Sequence, residues 1–167
     1  MALRTTTNTL LCDTTITPDG CVLVIEDIGA SGVSGTYVHA DIEHSAELVQ
    51  QTLWVHTMSY HECEVVGRPV RVRVFSGSDV HGLGAPAFDG RINVASGVLA
   101  VGDRRNPSRQ LFFCSPSTIR LSVFVGNDIE VIRFDDPGVS YPTSGPSDIT
   151  VLLHENAESS CTKWGHE

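Results

Sequence analysis

The sequence predicts an all-β fold, an antiparallel β-sandwich, and two observations support this prediction. The chain of 167 residues contains 20 valines and 9 isoleucines, against 12 leucines and 2 methionines. Because β-branched side chains fit the pleated, half-buried surface of a sheet, this excess favours strands over helices. Fifteen glycines and eight prolines divide the chain into short apolar segments, as is typical of sandwiches. The length suits a single domain spanning residues 1–167.

The individual strands are predicted from apolar runs and from alternation. An apolar run over residues 21–25 follows turn residues 18–20 and predicts a buried strand. Residues 70–74 alternate valine with arginine, so the valines should face the core and the arginines the solvent. The turn residues 126–128, Gly-Asn-Asp, predict a hairpin between two apolar segments. Further strands are predicted over residues 92–94, 98–101, 111–114, 119–125, 129–134 and 149–153.

One short helix is predicted near residues 42–51, and Asp41 is placed to cap it. A strand through residues 53–55 is the competing interpretation of the same region. The apolar residues that recur at helical spacing in this region are Ile42, Ala46, Val49 and Leu53.

At the other end of the chain, the polar segment from about residue 156 is expected to be a frayed tail.

Charge is distributed unevenly along the chain, whose net charge is −9. Residues 1–67 hold nine acidic side chains and one basic, and residues 134–167 hold six and one. The middle segment, residues 68–133, is basic. Acidic ends argue against nucleic-acid binding, and no apolar run approaches the roughly 20 residues of a membrane span. The pattern predicts an acidic face for a basic partner or, alternatively, segments whose charges intermix on one surface.

The cysteines are five in number, widely spaced and without a Cys-x-x-Cys pair. Because the start of the chain shows no apolar signal segment, we expect a cytoplasmic protein with free thiols. The length is sufficient for a core that needs neither a metal nor a disulfide. The cysteines are Cys12, Cys21, Cys63, Cys114 and Cys161.

Histidines form two groups along the chain, and imidazole is a common zinc ligand. Their spacings match no zinc pattern such as His-Glu-x-x-His, so we expect no cofactor. Because the histidines are nevertheless possible metal ligands, a metal-dependent β-fold enzyme is the alternative function. A Ser-His-Asp triad, which is recognised by geometry, stays open, although no Gly-x-Ser-x-Gly elbow is present. The metal-ligand candidates of the alternative function are His39, His44, His56 and His61.

Several arginines of the middle segment could form a phosphate-binding patch. Aromatic residues make up only 7 % of the chain, so base stacking beside such a patch is poorly supported. We favour a solvated strand face together with a charged loop, whose arginines pair with acids from the N-terminal third. The arginines concerned are Arg71, Arg73, Arg104, Arg105 and Arg109.

A family resemblance rests on five segments that place an acidic helix before a series of strands. These segments are residues 46–49, 69–74, 92–94, 96–103 and 119–123. In this order they resemble a small bacterial all-β family that includes competence protein J. The resemblance implies a non-enzymatic protein that binds and restrains a partner nuclease.

We therefore expect a non-enzymatic cytoplasmic protein-binding domain, an inhibitor or immunity protein for a basic nuclease or toxin. Acidic side chains in the N-terminal third would meet the basic partner, because complementary charges steer encounters. The glutamates expected to bind the partner are Glu43, Glu47, Glu62 and Glu64.

Overall fold

The computed structural model describes residues 7–30, 35–38, 49–103, 109–127, 131–133, 140–155 and 160–165, with residues 131–133 and 140–142 described by their backbone alone. These residues form two six-stranded sheets, a separate two-stranded ribbon and one α-helix. The helix is α1 (Tyr60–Val66), and a single 3₁₀ turn spans Ile28–Ala30. The strands are β1 (Thr9–Ile16), β2 (Val22–Asp27), β3 (Thr36–Val38), β4 (Val49–Gln50), β5 (Thr52–His56), β6 (Val70–Gly77), β7 (Phe88–Val94), β8 (Val98–Gly102), β9 (Gln110–Cys114), β10 (Ser117–Gly126), β11 (Val131–Arg133), β12 (Ser140–Pro142), β13 (Asp148–His154) and β14 (Cys161–Lys163).

The predicted all-β, sandwich-like fold is confirmed. The first sheet has the strand order β1-β6-β13-β10-β7-β4, and the second has the order β14-β9-β8-β2-β5-β3. Most neighbouring strands are antiparallel, as expected, but β13 with β6, β3 with β5 and β4 with β7 are parallel. Both sheets are therefore mixed, since each contains parallel as well as antiparallel pairs.

The core lies between the two sheets and consists of branched side chains from alternating strand positions. In β6 the valines are buried while Arg71 is exposed, as the alternation predicts. Each such fully buried side chain contributes about 1.5–3 kcal/mol to folding. The first sheet buries Val70, Val72, Val74, Ile119, Leu121, Val123, Ile149, Val151 and Leu153, and the second buries Leu23, Ile25, Leu53, Val55, Leu99 and Phe112.

Two local predictions are corrected by the strand pairing. The hairpin around residues 126–128 does not join β10 to β11, because β10 lies between β7 and β13, and β11 pairs with β12. The helix predicted near residues 42–51 falls largely on residues 39–48, which lie outside the described residues. Its last part, Val49–Gln50, forms strand β4, and the competing strand through residues 53–55 is present as β5.

The cysteine and tail predictions are also corrected. Cys114 and Cys161 form a disulfide, while Cys12, Cys21 and Cys63 are free thiols. Cys161 begins strand β14, which pairs with β9, so an ordered strand lies within the segment expected to be a frayed tail from about residue 156. The spacing of the cysteines could not reveal this bond, because the pairing of β9 with β14 brings its two ends together.

Arginines on the strands pair with carboxylates from other parts of the chain, which confirms that charges intermix. Arg71 donates two hydrogen bonds to Asp13, at 3.0 and 2.7 Å, and these bonds hold the pKa of Asp13 below its ordinary range. Arg109 reaches the buried carboxylate of Glu26 at 3.3 Å. A third pair joins Arg73 to Asp148 at 2.9 Å. Arg104 and Arg105 lie outside the described residues.

Candidate functional site

Four distant segments of the chain meet at one end of the sandwich. The amide of Thr57, after β5, donates to the carbonyl of Cys21 before β2 at 2.9 Å. The next amide, Met58, donates to the carbonyl of Pro146 at 2.9 Å. The amide of Ser147 donates to the carbonyl of Gly126, at the end of β10, at 3.2 Å. These backbone bonds fix the loops against one another and give this end of the molecule a defined shape.

A cavity of about 280 Å³ opens between these loops, and we call it the end pocket. Its wall is mainly apolar, with polar groups at a few positions. Pockets of this composition bind a ligand by apolar contact and orient it by a few hydrogen bonds. The lining residues are Val38, His56, Val125, Gly126, Asn127, Ser144, Gly145 and Pro146.

His56 is held in one orientation by hydrogen bonds at both ring nitrogens. Its Nε2 contacts the carbonyl oxygen of Ser144, and its Nδ1 lies 2.8 Å from the hydroxyl of Tyr37. Because a carbonyl only accepts, Nε2 carries the proton, and Nδ1 accepts from the tyrosine. The Tyr37 ring is 41 % exposed, and burial followed by the nearby Cys21 raises the pKa of its hydroxyl. Both nitrogens that could ligate a metal are thus engaged within the protein.

Glu62 connects helix α1 to the loop that forms the pocket wall. Its Oε2 accepts from the amide of Ser59 at 2.7 Å, and the Ser59 hydroxyl accepts from the Glu62 amide at 3.2 Å, which is a capping box. Its Oε1 accepts from the amide of Ser144 at 2.6 Å, and the Ser144 hydroxyl donates to Oε2. Burial raises the pKa of Glu62, but the hydrogen bonds from Ser144 and Ser59 outweigh burial and lower it overall.

The outer surface of helix α1 lies beside this connection. Tyr60 is 50 % exposed, and its hydroxyl donates to Oε1 of Glu64 at 2.8 Å. This bond raises the pKa of Tyr60, because it stabilises the protonated phenol. The helix ends at Gly67, whose φ of 69° allows the left-handed cap that closes the last turn.

Close packing behind the pocket requires a glycine at position 145. A Cβ atom there would lie 2.5 Å from the carbonyl oxygen of Thr57 and 2.8 Å from Cδ2 of His56. Both distances are shorter than van der Waals contact, so a side chain would push the loop away from β5. Gly145 therefore fixes how closely the pocket wall approaches His56.

The structure brings together some of the sequence-predicted site residues and separates others. His56 lines the end pocket and Glu62 binds Ser144 of its wall, while Glu64 and His61 are exposed on α1. The remaining predicted residues, His39, His44, Glu43 and Glu47, lie outside the described residues. Within the described ranges, no group of three His, Cys, Asp or Glu side chains is arranged to hold a metal ion.

Sequence reasoning missed Tyr37, Asn127 and Ser144, because each belongs to a different segment and none forms a motif with His56. Two local signals were present. The pattern Ser59-x-x-Glu62 marks a helix start, and the two prolines and one glycine of residues 142–146 mark a loop. Neither signal predicts that the start of the helix and the loop at residues 142–146 contact each other.

A second polar cluster contains the residue types of a catalytic triad. The Ser122 hydroxyl lies 2.7 Å from Nε2 of His154 and 3.3 Å from Oδ1 of Asp89. The carboxylate thus contacts the serine, whereas a triad needs it to orient the histidine. Arg120 binds Asp89 through two hydrogen bonds, at 3.0 and 2.7 Å, and Ser122 is only 1 % exposed. This network cross-links three strands and does not present a nucleophile.

Three cysteines lie outside the disulfide and are free thiols. Burial raises the pKa of the thiols of Cys12, Cys21 and Cys63. No helix in the part of the chain that the structure describes has the length and apolar character of a membrane-crossing segment.

Comparisons with known families, with curated proteins and with solved structures found no match. The resemblance to the competence protein J family therefore stays a prediction.

Proposed function

We propose that this chain is a non-enzymatic protein-binding domain whose end pocket receives a side chain of a basic partner. The observation that supports the proposal most directly is the pocket itself, an apolar-walled cavity whose lining residue His56 is hydrogen-bonded to the exposed Tyr37. Tyrosine is enriched at protein interfaces, and binding energy concentrates where an anchor residue fills a pocket of the partner.

The size of the end pocket favours an anchor side chain over a complete ligand. Pockets for small molecules measure about 300–1,000 Å³, and this cavity of about 280 Å³ lies just below that range. The wall offers apolar contact from Val38, Val125 and Pro146, and polar groups from Asn127. A long basic side chain suits this arrangement, because its stem is apolar and its head is polar.

Electrostatics supports a basic partner such as a nuclease or a toxin. The chain has a net charge of −9, and Glu64 is exposed on the helix beside the pocket. Long-range attraction of this kind raises association rates, and salt screens it beyond about 8 Å at physiological ionic strength. We place this inhibitor or immunity function in the cytoplasm, where a nuclease or toxin would reach its nucleic-acid or enzyme target.

The four glutamates have different parts in this proposal. Glu64 would act by its charge, whereas Glu62 would act by holding the pocket wall, since its carboxylate is engaged with Ser59 and Ser144. Changing Glu43 and Glu47 together to glutamine should slow association and weaken its salt dependence. Unchanged association kinetics in that double variant would exclude these two residues from partner steering.

The proposal is tested by blocking the pocket and capturing partners from the native cell. Asn127 lies at the pocket and is exposed, so Asn127→Trp should fill the opening. Thr118→Trp is the matched control, because Thr118 is exposed near the far end of β10, the strand that Asn127 directly follows, roughly 30 Å away in an extended chain. We expect the wild type and the control to capture one basic protein that Asn127→Trp loses. Equal capture by all three proteins would contradict the pocket as the binding site.

A further inference from the structure

Strand β14 lies at the edge of the second sheet, where it pairs with β9, and it also contacts β1 of the first sheet. It consists of three residues, Cys161–Lys163, and β9 is its sheet neighbour among the described strands. One more backbone bond, from the amide of Trp164 to the carbonyl of Leu111 at 3.1 Å, extends the pairing. The ring of Trp164 meets Phe113 edge-on, with 6.0 Å between ring centroids, yet it remains 60 % exposed.

The disulfide is the covalent attachment of this strand to β9. Cys161 stands directly opposite Cys114 in the pairing of β14 with β9, and the two are 47 residues apart in sequence. Cys161 is the one buried side chain of β14, since Thr162 is exposed and Lys163 is half-buried. Ordering the backbone of a strand costs free energy for each residue, and a single small buried side chain offsets little of that cost.

We propose that the Cys114–Cys161 disulfide is a redox switch that locks β14 onto the sheet when oxidised and releases it when reduced. In the cytoplasm proposed above, disulfides are characteristically transient and redox-sensing, since the thiol pool is reducing. The inference concerns β14 alone and stands or falls separately from binding at the end pocket.

The chemistry requires a dithiol reductant and follows ordinary thiol–disulfide exchange. One thiolate of the reductant attacks a sulfur of the bond, the Cys114–Cys161 bond breaks, and a mixed disulfide forms. The second thiolate of the reductant then attacks that mixed disulfide and closes the reductant's own disulfide. The protein gains two electrons and two protons and carries two thiols, and the reductant loses the same.

Release of β14 would change the surface of the second sheet. Strand β9 would lose its outer neighbour while staying paired with β8, and the amides and carbonyls on its outer side would form a free sheet edge. Such an edge can accept an extended segment of another chain as an added strand. Phe113 is already 45 % exposed, and departure of Trp164 would uncover more of its ring.

Hydrogen exchange measured by mass spectrometry tests the switch on the intact protein, with dithiothreitol as the reductant. In the reduced protein we expect the amides of residues 161–164 to exchange at least about tenfold faster, while those of β10 and β13 keep their protection. Cys161→Ala should reproduce this pattern without reductant. The variant Cys63→Ala retains the disulfide and should respond to reductant as the wild type does.

Three results would overturn the inference. Unchanged protection of residues 161–164 after verified reduction would mean that β14 holds without the bond. A general loss of protection that includes β10 and β13 would make the disulfide a staple of the whole fold. Failure of dithiothreitol to reduce the bond in the folded protein would remove the reduced state from consideration.

Discussion

Replacing Glu62 with alanine should destabilise the fold measurably, although the residue is part of an ordinary surface helix. The change removes one of the two bonds of the capping box at the start of α1, the bond from the Ser59 amide to Oε2 of Glu62, while the bond from the Glu62 amide to the Ser59 hydroxyl remains. It also leaves the Ser144 amide and hydroxyl without their charged acceptor, and a hydrogen bond to a charged group contributes about 1.5–3 kcal/mol. Because the site is half-buried and water can replace part of these bonds, we expect a loss of about 2–3 kcal/mol in total.

Thermal and urea unfolding measure this loss. For a domain of this size, 1 kcal/mol corresponds to about 2–4 °C, so Glu62→Ala should lower the Tm by about 4–12 °C. Glu62→Gln keeps the shape and one acceptor oxygen, and it should fall between the wild type and the alanine variant. Glu64→Ala is the matched control, since it removes one negative charge from the same helix but loses only an exposed bond from Tyr60.

Two results would refute this reasoning. One is equal stability of Glu62→Ala and Glu64→Ala, because loss of a negative charge from α1 would then explain the effect without the bonds of Glu62 to Ser59 and Ser144. The other is a glutamine variant as unstable as the alanine variant, because one remaining acceptor should satisfy part of the network around Ser144.

Two further predictions concern pH and packing. Burial, followed by the positive charge of Arg120, lowers the pKa of His154 below its ordinary value of 6.5. The neutral histidine therefore contributes stability that is fully present above pH 6.5 and is lost as the pH falls through its folded pKa. His154→Gln should flatten the fall in urea midpoint between pH 7.5 and 5.5, and an unchanged slope would contradict it. Gly145→Ala should cost about 1–3 kcal/mol, because the new Cβ would meet the Thr57 carbonyl at 2.5 Å, and a variant that melts with the wild type would disprove this.

The alternating and apolar patterns of single strands were sufficient to predict the fold class. In β6 the valines alternate with polar residues, and a period of two can bury one face only if the segment is extended. The run that begins at Cys21 likewise gave β2, since five consecutive residues of Val22–Asp27 are buried. Such patterns are local, so a strand and its buried face can be read without knowing which strand lies beside it.

Pairing and contact between distant segments were decided by the tertiary structure alone. Gly126 and Asn127 carry a hairpin signal, yet β10 pairs with β13, because several apolar segments compete equally well for the same edge. The site followed the same rule. The sequence determined an acidic all-β chain and named His56 and Glu62 as polar residues of interest. Tertiary packing alone placed Ser144 in contact with both residues and Cys161 in contact with Cys114. These contacts close long loops of the chain, and loop closure over such separations leaves no local pattern in the sequence.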